Sequence, residues 1–225
     1  MSNILISGCG ISYSKQEKPS WVKVLQLCKV PIVDLGGPAV SNEYILNKLI
    51  KHLLEPNGKT SHVICQLTSL GKLDVEVNEE RHKELVESDP LRNFTFDGVW
   101  PSSTSKLHPA KQTFYKWLYS ERIDAENTLI KMYTLHKLCH DRNIKLLFLQ
   151  GYDINWPPNA ILEYMPIDIH FVIENYYKSS DHYQHHDHAK QNTVPCIEFQ
   201  KHLAFKINNE FLQFDLDAYY NKFKW

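Results

Sequence analysis

A chain of 225 residues is long for one domain and short for two, so a single domain spanning 1–225 is expected. Hydrophobic residues make up 43%, enough for a sizeable core; with 23% charged residues and a net charge of -1, there is no basic excess of the kind that phosphate backbones select, and nucleic acid is not an expected partner. No apolar run approaches the length of a membrane span, and Met1 to Gly10 lacks a basic leader and reads as a strand, so a cytoplasmic protein without a membrane partner is expected.

Asn3 to Ser7 (NILIS) is a short apolar run that ends at Gly8-Cys9-Gly10, the pattern of a buried strand followed by a tight turn. Trp21 to Leu27 (WVKVLQL) has helical spacing, with Trp21, Val24, Leu25 and Cys28 on one face and Ser20 as N-cap. Pro31 to Leu35 (PIVDL) is a second strand, broken by Gly36-Gly37-Pro38. Ser41 then caps a helix over Asn42 to Leu54, with an apolar stripe of Tyr44, Ile45, Leu49 and Leu53, which Pro56-Asn57-Gly58 stops. His62 to Leu67 (HVICQL) is a third buried strand.

After it, Thr68 to Tyr119 is a long excursion of weak periodicity, rich in aromatic and turn residues. A segment of this kind inside one domain usually has a task, such as a lid or a binding wall. Its aromatics, from Phe94 to Tyr119, read first as a packing layer and second as the wall of a sugar cleft. Asp124 to Arg142 is an amphipathic helix with Leu129, Met132, Tyr133, His136 and Cys139 recurring on its inner face and Leu135 flanking. Lys145 to Gln150 (KLLFLQ) is the fourth strand; Pro157 to Met165 reads as a short helix, and Ile167 to Ile173 as a fifth strand or an irregular wall. Ile197 to Leu212 closes the chain's regular structure as a helix, with Ile197, Ala204, Ile207, Phe211 and Leu212 inward and Leu203 flanking.

Strands alternating with helices imply an α/β domain with a parallel sheet covered on both faces. Ligands of such sheets sit beyond the carboxyl ends of the strands. The loops Gly8 to Ser14, Gly36 to Asn42 and Thr68 to Leu73 are therefore where a site belongs. The five cysteines (Cys9, Cys28, Cys65, Cys139, Cys196) are scattered through apolar segments without a C-x-x-C pair, so buried free thiols are expected, and no structural zinc.

Those three loops carry a family resemblance. ILISGCGISYS followed by WVKVL resembles the opening of the SGNH (GDSL-like) hydrolases, where a strand leads into G-D-S or G-C-S and a tryptophan-led helix follows. DLGGPAVSN resembles their second block, VICQLTS the third, and VPCIEFQKHLAFKI the last, which often reads H-P-S before a helix. The resemblance implies a three-layer, flavodoxin-like sheet and ester hydrolysis by a serine, as in esterases and deacetylases. The whole chain also resembles proteins encoded by tailed phages of marine cyanobacteria, which implies host cytoplasm or virion as its setting.

The residues that would do the chemistry depart from the pattern. The nucleophile position falls on Gly10, with Ser12 two residues on. The glycine that offers an N–H to the oxyanion matches Ala39, which keeps its N–H. The asparagine donor of the third block has no clear match after Gln66, leaving Thr68 or Ser69 as stand-ins. The base falls on Val194 and its orienting carboxylate on Gln191. Acyl transfer needs a nucleophile, a base and oxyanion donors, and the first two are missing.

Replacements are few. Ser12 is a displaced nucleophile or a loop serine bonding within its own turn. Cys9 would need a cationic neighbour to act as a thiolate. Gly10 reads first as a turn glycine and second as the floor of a pocket. The run Asp181-His182-Tyr183-Gln184-His185-His186-Asp187-His188 reads as a solvated loop, as an Asp–His pair (Asp187 with His185 or His188), or as a metal site; its spacing matches no standard metal motif, and no cofactor is expected. His202 lies in the last helix and reads as a surface histidine, and Ser41 and Asn42 as capping residues.

Three functions follow as expectations. The first is an SGNH-like protein that has lost the usual serine site and binds a small acyl or carbohydrate ligand. The second is an active esterase with Ser12 as nucleophile, His188 or His185 as base, Asp187 as orienter, and the N–H groups of Gly37 and Gly10 as oxyanion hole, with Ala39, Asn42, Thr68 and Ser69 around the pocket. The third is a phage structural or host-interaction protein.

Overall fold

Alternation along the central strands sorts their side chains onto two faces, and a helix pair covers each. The computed structural model describes residues 3–8, 20–37, 40–56, 59–71, 73–76, 96–99, 116–151, 154, 156, 169–173 and 197–216. Strands β1 (Asn3–Ser7), β2 (Ile32–Asp34), β3 (Thr60–Leu67), β6 (Lys145–Gln150) and β7 (Ile169–Val172) form one sheet in the order β2-β1-β3-β6-β7. Every pairing in it is parallel. This is the flavodoxin-like order of a doubly wound α/β sheet.

Ile4 and Ile6 of β1, Ile64 of β3 and Leu147 and Leu149 of β6 face helices α1 (Trp21–Leu27) and α4 (Ile197–Ile207), packing on Trp21, Leu25, Phe199, Leu203 and Ile207. Leu5, Val63, Cys65, Leu67 and Phe148 face the other pair, α2 (Asn42–Leu54) and α3 (Glu121–Asp141). The near-continuous apolar runs of these strands are what a sheet buried on both faces requires. The three layers expected from the sequence are therefore present.

Several boundaries and faces differ from the sequence reading. β3 begins at Thr60, because Asn3 at the start of β1 pairs with it. α3 begins at Glu121, three residues before the expected start, because Ser120 caps it by accepting from the Ile123 N–H. Tyr133, expected inward, is 44% exposed, while Leu135, expected at the flank, is fully buried. The inner stripe runs through Leu129, Met132, Leu135 and Cys139, and Tyr133 is turned off it. The uncertain stretch 167–173 contains a true strand, β7, laid against β6. The excursion 68–119 includes an antiparallel pair, β4 (Leu73–Glu76) and β5 (Phe96–Val99), with Leu73 opposite Val99. The helix proposed for Pro157 to Met165 lies outside the described residues.

The last helix does not run regularly to Leu212. The α-helix gives way at Asn208–Leu212 to a π-helical turn, and Gln213 ends it in the left-handed region with φ 60°. The buried Asn208 amide explains the stop: it donates to the Phe214 carbonyl (2.9 Å) and accepts from the Phe214 N–H (3.0 Å), turning the chain back. On the inner side, Phe199 and Leu203 are fully buried, and Phe211 is half-buried.

Helices α1 and α3 both end with a left-handed residue beyond the C-cap: Lys29 (φ 60°) and Asn143 (φ 53°). The paired bonds Lys29 N–H to Gln26 O and Val30 N–H to Leu25 O satisfy the last carbonyls of α1, and the same arrangement recurs at Asn143 and Ile144. A lysine has a Cβ that disfavours this conformation, which glycine adopts freely. Lys29→Gly is expected to raise the unfolding free energy by about 1 kcal/mol, read by urea denaturation.

Cys28, Cys65 and Cys139 are buried free thiols, as expected. Burial raises the pKa of all three, that of Cys139 to about 12 and that of Cys65 far beyond the usual thiol range, so these cysteines are inert packing groups. Cys9 and Cys196 lie outside the described residues. No described helix is long and apolar enough to cross a membrane.

Candidate functional site

β1 lies between β2 and β3, so the chain winds one way from β1 to β2 and the other way from β3 onward. The resulting switch point, between β1 and β3, is where open α/β sheets leave a crevice at their carboxyl ends. Gly8 leaves β1 there and Thr68 leaves β3.

Hydrogen bonds tie the strand exits together. The Gly37 N–H donates to the Gly8 carbonyl (3.1 Å), and the Gly151 N–H to the Leu67 carbonyl (2.7 Å). Gly36 must be a glycine: a Cβ there would stand 2.9 Å from the Gly8 oxygen. The Gly37 N–H, expected to face an oxyanion, is engaged by the first strand's exit.

Asn42 was expected to be a capping residue but does not cap α2; Ser41 does, accepting from the Tyr44 N–H (3.1 Å). The buried Asn42 amide instead reaches across to β3's exit. It donates to the Thr68 carbonyl (3.0 Å) and accepts from the Thr68 N–H (2.7 Å). Both polar groups of this buried residue's backbone are thereby satisfied by one side chain. The Thr68 hydroxyl is buried without a partner among the described residues, whereas Ser69, next in the chain, is half-buried. Of the two stand-ins, Ser69 is the one partly open to solvent.

On the α1/α4 face of the same end lies a network that the sequence reading missed. The Trp21 indole N–H donates to Gln66 Oε1 (3.2 Å), and the Trp21 backbone N–H to Gln200 Oε1 (2.9 Å). All three residues are buried, and Gln200 Nε2 has no partner among the described residues. The available signal was Gln66 itself, a polar residue inside an apolar strand.

Asp124 was also missed. It sits in the first turn of α3 and accepts from the Gly71 N–H (2.7 Å) and the Tyr119 hydroxyl (3.2 Å). Its pKa is raised, chiefly because burial disfavours the charged carboxylate. Gly71 has φ 81°, so Asp124 holds a turn only glycine adopts readily, three residues past Thr68.

Of the residues singled out from sequence, Gly37, Thr68 and Ser69 thus lie on the loops at the strand exits and Asn42 opens α2, and Asn42 and Thr68 are in direct contact. Ser12, Asp187, His188, His185, Gly10 and Ala39 lie outside the described residues, as do Gln191, Val194 and the rest of the histidine run. Among the described residues no group of histidine, cysteine, aspartate or glutamate is arranged to hold a metal ion. His202 is exposed on α4.

No protein-family model matches the chain, and no curated protein matches it. Among solved structures, it is similar to a psychrotrophic esterase, EstA from Pseudoalteromonas sp., in a form inhibited by monoethylphosphonate. That likeness spans 95% of this chain and 100% of the esterase at 15% identity, with a TM-score of 0.48.

Proposed function

We propose that this chain is an SGNH-hydrolase-like protein whose ordinary serine site is lost, and that it binds a small acyl or carbohydrate ester at the β1/β3 switch point. The observation that carries the reading is Gly10 at the nucleophile position and Val194 at the base position, on a chain that keeps all four family blocks in order. The parallel sheet of order β2-β1-β3-β6-β7 supports it, since a crevice belongs at that end. The Thr68 hydroxyl and Gln200 Nε2, buried without partners among the described residues, support it too, because buried polar groups without partners are rare and favour a polar occupant nearby.

The test is hydrolysis of short-chain acyl p-nitrophenyl esters by the purified protein, with Ser12→Ala and Ser69→Ala alongside. The expected result is turnover at the background rate for all three, together with saturable binding of an acetylated sugar in ligand-observed NMR. Robust turnover abolished by Ser12→Ala would establish instead the relocated site, with His185 or His188 and Asp187 as its base and orienter. Absence of both turnover and binding would leave the interaction-protein reading, which detection in purified virions would check.

A further inference from the structure

We infer that the opposite end of the sheet holds a second site, for a small molecule bearing a phosphate group. A cavity of about 600 Å³ opens between the amino ends of β3 and β6 and the carboxyl ends of α2 and α3. Its volume falls within the range of small-molecule pockets, roughly 300–1,000 Å³. Lys59, Arg142 and Lys145 line it, together with His52 and His62, against one carboxylate, Glu55.

The cations are more than the fold needs. Arg142 has a structural task, since its guanidinium donates to the Leu53 carbonyl near the end of α2. Cations at helix carboxyl ends also offset the negative pole of the macrodipole. Lys59 and Lys145 make no such bond, and neither they nor Arg142 form an ion pair with a carboxylate among the described residues. Three positive groups line one concavity, and a bound dianion would offset their charge. Arginine's fork and the point charges of lysine suit phosphate oxygens.

His62 also lines the cavity. Burial and the nearby Lys145 charge both lower its pKa, so the imidazole is neutral at pH 7. Its Nδ1 lies 2.9 Å from the Ser61 hydroxyl, and its ring meets Phe211 edge-on at 5.2 Å. Leu53 and Ile144 give the cavity an apolar wall, against which the body of an organic phosphate would rest. The site is independent of the β1/β3 crevice and shares no residue with it.

The test is an NMR titration of the full chain with inorganic phosphate and with glucose 6-phosphate at fixed ionic strength. Saturable shifts are expected for the amides of Thr60, Ser61, Asn143 and Ile144, with the sugar phosphate binding more tightly. Lys59→Gln combined with Lys145→Gln is expected to weaken binding about tenfold or more. Lys48→Gln combined with Lys51→Gln removes the same charge from the exposed face of α2 and is expected to leave binding unchanged. Shifts that do not saturate, or equal weakening in the two double variants, would overturn the site. Equal affinity for the two probes would overturn the assignment of the apolar wall to the ligand's body.

Discussion

Trp21→Ala is expected to lower the unfolding free energy by about 4 kcal/mol, the cost of removing a large, fully buried aromatic side chain from a core that relaxes only partly. Trp21 packs among Ile4, Ile6, Ile64 and Phe199, residues of three separate elements, so no single element can shift to fill the void. Its indole also donates to Gln66 Oε1, and the truncated variant removes that buried bond. Trp21→Phe separates the two contributions. It keeps most of the ring and removes the donor, and a loss of about 1–2 kcal/mol is expected. Both are read by urea denaturation followed by far-UV circular dichroism, since the substitutions change the fluorescence itself. A loss below about 1.5 kcal/mol for Trp21→Ala would show that the α1/α4 layer collapses onto the sheet.

The second large effect is expected at Asn42. Asn42→Ala removes two buried hydrogen bonds at once and leaves both the N–H and the carbonyl of Thr68 without partners. An unsatisfied buried group costs about 1–3 kcal/mol, so a loss of about 3 kcal/mol is expected. Asn42→Asp distinguishes bond from shape: the carboxylate still accepts from the Thr68 N–H but faces the Thr68 carbonyl as a second acceptor, and it should recover only part of the loss. Because Ser69 follows the clamped residue, both variants should also weaken any ligand held at the β1/β3 crevice. Unchanged stability and binding in Asn42→Ala would mean that the Thr68 peptide finds other partners once the amide is gone.

The layers of the fold were legible because they depend on local pattern. NILIS, HVICQL and KLLFLQ are apolar runs too short for helices, and each lies between stretches of helical period or turn residues. The caps at Ser20 and Ser41 were legible for the same reason, since a capping serine bonds only three residues ahead. Where local signals compete, the reading slipped. Tyr133 and Leu135 lie two positions apart on α3, and spacing alone placed the wrong one inward. The π-helical turn was not legible at all, because the buried amide of Asn208 decides it by bonding a peptide that lies beyond the helix.

The sequence by itself determined an α/β chain with a covered parallel sheet and the buried thiols Cys28, Cys65 and Cys139. Only the tertiary structure decided that Asn42 clamps Thr68 across 26 positions, that Trp21 meets Gln200 across 179, and that Lys59, Arg142 and Lys145 surround one cavity. The reason is physical. Periodicity and capping depend on neighbours within a turn or two, whereas a buried amide takes whichever partner the packed layers bring within 3 Å, and nothing in its own stretch of chain records which partner that is.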